Sequence, residues 1–125
     1  MRRIWFLARI AFAGGAALSL LACTKPEQRD AGGAAPPPSF VTRCSSCHGP
    51  RGHGDGVAAG SLNPRPPDFR DPHWQKQASD DELRDVILHG GLARGRSALM
   101  PANAGLSPSE LDAIIRFIRA EGGAP

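Results

Sequence analysis

The sequence predicts an all-α domain of three to four short helices joined by long loops, and three observations predict it. Ser79-Asp80-Asp81-Glu82 and Ser107-Pro108-Ser109-Glu110 each carry the serine and the glutamate of a helix-opening capping box. Each box opens into apolar residues at helical spacing, and no segment alternates apolar and polar with period two, so no sheet is expected. The Gly- and Pro-rich stretches 49–70 and 90–106 are long for connections in so small a domain. Loops of that length make sense if they wrap something the polypeptide does not itself contain.

Taken in chain order, residues 1–22 read as an export signal that is removed. Arg2, Arg3 and Arg9 make a charged start, and the apolar run from Ile10 to Ala22 is 13 residues long. A permanent membrane span needs roughly 20. Leu20-Leu21-Ala22-Cys23 resembles a bacterial lipobox, which implies cleavage before Cys23 and acylation of its thiol. Several acyl chains on one residue hold a protein stably at a membrane, where a single chain does not. Thr24 stands where an aspartate commonly retains lipoproteins in the inner membrane, so the expected location is the periplasmic side, anchored to the outer membrane. With Cys23, residues 24–38 form a polar, Ala/Gly-rich tether ending in Pro36-Pro37-Pro38. Extended at polyproline rise it reaches about 45 Å, enough to lift a small domain clear of the lipid.

The domain proper is residues 39–125. A short helix is expected from about Ser39 to Cys47. Asp71-Pro72 begins a shorter one through Trp74 to Gln77. The helix opened by Ser79 turns Leu83, Val86 and Ile87 inward and ends at His89-Gly90-Gly91. The last helix is the best specified. Leu111, Ile114, Ile115 and Ile118 fall on one stripe, Phe117 flanks it, and Gly122 stops it.

Charge and length exclude several function classes. The formal net charge of +3 belongs to the leader, whose removal leaves 103 of the 125 residues, with 12 basic side chains against 12 acidic. A neutral mature chain disfavours nucleic acid as the main partner. The length excludes a large multidomain enzyme. The core is thin, since Phe40, Phe69, Trp74 and Phe117 are the only aromatics after the leader. Domains of this size usually need a staple, a metal or a cofactor.

Cys44-Ser45-Ser46-Cys47-His48 supplies one. Two thiols at i and i+3 share a face of one helical turn, spaced to form thioethers with the two vinyl groups of a haem, and the histidine that follows can ligate the iron. Structural zinc would want a second ligand pair, and the only other cysteine is Cys23. A thioredoxin-like redox pair would want a βαβ setting. A disulfide closing so short a loop would stabilise little. For the second axial position, Met100 is the only methionine left once the leader is gone, and it lies before Pro101 in the loop ahead of the last helix. The competing histidines have simpler explanations. His53 sits in a glycine-rich run expected at the surface, His73 at a solvated helix start, and His89 at a helix C-terminus where the dipole favours it.

At this point the chain resembles the small class I, monohaem c-type cytochromes. The resemblance runs through Phe40, Cys44 to Gly49, Gly52-His53-Gly54-Asp55-Gly56, Pro66-Pro67-Asp68-Phe69, the Asp81-to-Gly90 helix, Met100-Pro101 and the Leu106-to-Arg119 helix. It implies a cytochrome c-like fold around one haem c, held through Cys44 and Cys47 with His48 and Met100 on the iron. It also implies that Phe40 and Phe117 pack where the first and last helices cross beside the haem. Pro36 replaces a small residue usual in the family, which shortens the first helix. Ala102-Asn103-Ala104 replaces the more usual aromatic after Met-Pro, which opens the methionine side.

The implied function is one-electron carriage between redox protein partners by a monomer, with no enzymatic step, because both iron positions are filled. The alternative is a haem-based gas binder or sensor in which Met100 is displaced. Arg65, Arg94 and Arg96 either form a solvated loop surface or a positive rim that steers acidic partners or pairs with haem propionates. Trp74 and Phe69 are expected to pack in the core or on the haem rather than to dock partners.

Overall fold

The computed structural model describes residues 34–123. The leader, Cys23 and most of the tether lie outside the described residues. Five helices follow in order: α1 (Pro38–Arg43), α2 (Ser45–His48), α3 (Pro72–Gln77), α4 (Asp80–His89) and α5 (Pro108–Glu121). Short 3-10 turns at Ala59–Ser61 and Leu92–Arg94 interrupt the two long loops, and no strand occurs among the described residues. The single helix expected over 39–47 is two. It breaks at Cys44, whose φ of −118° lies off helical values, so that Cys44 ends α1 and begins α2.

Local chemistry sets the helix boundaries. Ser79 and Ser107 each accept the N3 backbone N–H, and Glu82 and Glu110 each accept the serine N–H at 2.9 Å, completing both capping boxes. Asp71 caps α3 by accepting the His73 N–H at 2.8 Å. Gly90 stops α4 with φ +82°, and Gly122 ends α5 ahead of Gly123 at φ +79°.

The core lies between α5 and everything else. Leu111, Ile114, Ile115, Phe117 and Ile118 of α5 are all buried, packed with Leu83 and Ile87 of α4 and with Phe40 of α1. Each fully buried side chain of this kind contributes roughly 1.5–3 kcal/mol. Phe40 and Phe117, both 1 % exposed, meet with ring centroids 4.7 Å apart where α1 crosses α5. A polar latch ties α3 to the same helix. Gln75 donates to the carbonyls of Phe69 and Ile118 at 2.7 and 2.8 Å, while Arg119 donates to Gln75 Oε1 at 2.6 Å and to Asp80 at 2.8 Å.

Candidate cofactor site

The break at Cys44 and the short α2 place the two thiols and His48 on the wall of a cavity of about 470 Å³. Its other walls come from Phe69 and Trp74, from Leu83, Val86 and Ile87 of α4, from Ile114 and Ile118 of α5, and from the loop bearing Leu99 and Met100. Four of the residues singled out by sequence, Cys44, Cys47, His48 and Met100, therefore face one mostly apolar space of the size that holds a cofactor. Phe40 also faces it. Phe117 does not; it backs Phe40 from the core side.

The donor set fits a metal-centred group. Cys44 and Cys47 are free thiols, and burial pushes the Cys44 thiol up to about 11, so it stays protonated at neutral pH. Burial lowers His48 to about 4, which keeps its imidazole neutral, the form that binds a metal. His48 Nδ1 is buried with no hydrogen-bond partner, a cost of about 1–3 kcal/mol that a native site rarely carries without a functional reason. A thioether and an imidazole are the ligand pair associated with electron-transfer haem.

Two backbone features hold the ligands in place. Beneath His48 the rings form a stack: Phe69 lies 5.3 Å from the imidazole at 29°, and Trp74 lies 5.2 Å from Phe69 at 24°. That stack needs Gly52, whose φ is +74° and whose missing Cβ would lie 2.1 Å from Phe69 Cδ2. The Gly54 N–H donates to the His48 carbonyl at 2.9 Å, and the Phe69 N–H to Gly52 at 2.8 Å. On the methionine side, the Met100 carbonyl accepts the Gly91 N–H at 3.0 Å and the Met100 N–H donates to Ser97 at 3.2 Å. Gly90 allows that approach, since a Cβ there would lie 2.9 Å from the Met100 carbonyl oxygen.

The three rival histidines lie away from this wall. His73 is exposed, and His89 is paired with Asp85 at 3.0 Å, a partner beyond the helix dipole. His53 is not the solvated surface group its glycine-rich run suggests. It is half-buried, with Nε2 3.4 Å from the buried carboxylate of Glu121. Arg51 approaches the other oxygen of Glu121 at 2.7 Å, near enough for charge attraction but off the direction of a hydrogen bond. Sequence reading missed this triad because its members are 70 and 68 positions apart from Glu121 in the chain, and no local spacing announces it. It also missed the support that Phe69 gives His48, for which the only sign was a lone aromatic in a Pro-rich loop. Arg65 and Arg96 line the cavity mouth, whereas Arg94 turns away to pair with Asp85.

The family model described as cytochrome c oxidase, cbb3-type, subunit III matches residues 34–118, a span that contains every wall of the cavity. No curated protein matches the chain.

Proposed function

The chain belongs to the cbb3-type cytochrome c oxidase subunit III family, an all-α cytochrome c-like fold that carries haem c and transfers electrons, and from that membership we propose that it is a membrane-tethered one-electron carrier. Haem c would be attached through Cys44 and Cys47, with His48 and Met100 as iron ligands. The observation that carries this reading is the convergence of those four side chains on one apolar cavity. When bound, the haem supplies reversible one-electron oxidation and reduction of its iron.

The polypeptide does the rest. Burial holds His48 neutral and the Phe69 ring fixes its plane. Met100 is held by backbone hydrogen bonds on both sides of its own peptide, which supports a retained ligand over one displaced by a gas. The apolar walls from α4 and α5 exclude water, which together with a thioether ligand favours the reduced state. The proposed role is carriage rather than catalysis, since two protein ligands leave the iron no position for substrate. Lipid on Cys23 would tether the domain to the outer membrane, on its periplasmic side, within reach of redox proteins there.

Visible spectra of the naturally matured protein test the reading. The expected result is a covalently held haem that survives denaturation, cycles with dithionite and ferricyanide, and does not react quickly with carbon monoxide when reduced. Met100→Ala should abolish the sulfur–iron absorption band, retain the covalent haem and admit carbon monoxide. Wild-type protein that binds carbon monoxide at once would favour the gas binder instead. A colourless product with both thiols open to alkylation would remove the assignment.

A further inference from the structure

Five of the domain's ten cationic side chains, Arg51, Arg70, Arg84, Arg94 and Arg119, are ion-paired to carboxylates within 4 Å. Arg43, Arg65 and Arg96 are not paired to any described residue, and all three are exposed residues on the wall of the same cavity. They come from three distant segments: the last turn of α1, the loop before α3 and the loop before Met100. The one carboxylate lining that wall, Glu82, is already engaged by Ser79 in the capping box of α4. Glu110, whose carboxyl feels Arg43, is likewise held by Ser107. A domain with ten basic and ten acidic side chains thus concentrates uncompensated positive charge around one opening. Leu99, 57 % exposed, adds an apolar surface inside that ring.

We propose that the mouth of this cavity docks a redox protein with an acidic face, steered and oriented by Arg43, Arg65 and Arg96. The proposal rests on the electron-carrier reading and adds the charge of the partner. An apolar centre within a charged, solvated rim suits an encounter that must be specific in orientation and short in lifetime. The three guanidiniums act through their summed field, which speeds association with an anionic surface and is screened by salt. The rival occupant of the same charge is internal: the carboxylates of the bound haem.

The test uses the full-length, haem-bearing protein, reduced and then mixed in stopped flow with hexacyanoferrate(III) or with tris(phenanthroline)cobalt(III). In each case one electron leaves the protein and the metal complex is reduced by one unit. The oxidation rate with hexacyanoferrate should fall about tenfold between 10 and 500 mM salt, while that with the cobalt complex stays flat or rises. Replacing Arg43→Glu, Arg65→Glu and Arg96→Glu together should reverse the two salt trends and leave the midpoint potential in place. If that variant fails to fold, the single Arg65→Gln change should still slow hexacyanoferrate about twofold at low salt. A coloured, redox-active protein with no salt trend overturns the proposal alone. A potential that moves in the variants while the salt trends stay unchanged also overturns it, because the arginines then serve the haem carboxylates. A colourless protein overturns the carrier reading and this proposal together.

Discussion

His48 shows how a single side chain is prepared for its role by its surroundings. Burial lowers its proton affinity from 6.5 to about 4, so the folded domain resists the proton that the unfolded chain accepts. Between those values the unfolded state binds more protons, and stability therefore falls as the pH drops through that window. The expected loss at pH 5 relative to pH 7.5 is about 2 kcal/mol, read as a lower guanidinium midpoint. Iron ligation pushes the same way, because a ring nitrogen cannot hold a proton and a metal at once. Gly52 is the second sensitive position. In Gly52→Ala the φ of +74° is strained and the new methyl meets the Phe69 ring, a combined cost of about 2–4 kcal/mol by the same denaturant measurement. The cysteines, His48 and Met100 were legible in the chain because their chemistry is local or unique in it. Gly52 as the seat of Phe69, and Glu121 as the partner of His53, were not, because both depend on contacts between distant segments.

Among the elements, α4 and α5 were written plainly in the sequence, since capping boxes, stripes and stop glycines are all signals within one helix length. Ser107→Ala should cost about 1 kcal/mol, measured by thermal unfolding, because two orphan N–H groups at the head of α5 lose their partners. The break at Cys44 was not foreseen. Ser45 and Ser46 do not demand it, and its cause lies in turning both thiols toward the cavity. The Gln75–Arg119 latch was equally silent, joining residues 44 positions apart. Arg119→Ala frees Gln75 and opens the α3–α5 junction. Hydrogen exchange should then speed in α3 well ahead of α4, with a global loss of roughly 1–3 kcal/mol.

For the whole molecule, the cavity lies in the middle of the core, and Leu83, Ile87, Ile114 and Ile118 serve both. A domain so built gains much of its stability from what fills the space, so Cys44→Ala with Cys47→Ala should cost most of its fixed structure along with the haem. Far-ultraviolet circular dichroism of that variant should show helix content well below that of the haem-bearing protein. The neutral charge balance visible in the composition concealed an uneven distribution, which only the folding of three separated arginines to one opening reveals. The column of rings beneath the histidine carries an optical consequence. Trp74 is the sole indole downstream of the leader and sits one phenyl ring away from the imidazole. A porphyrin seated there would drain its excited state by energy transfer, leaving the native protein nearly dark under ultraviolet excitation. Emission that brightens on denaturation would then serve as a built-in ruler of how far the chain has moved away from its pigment.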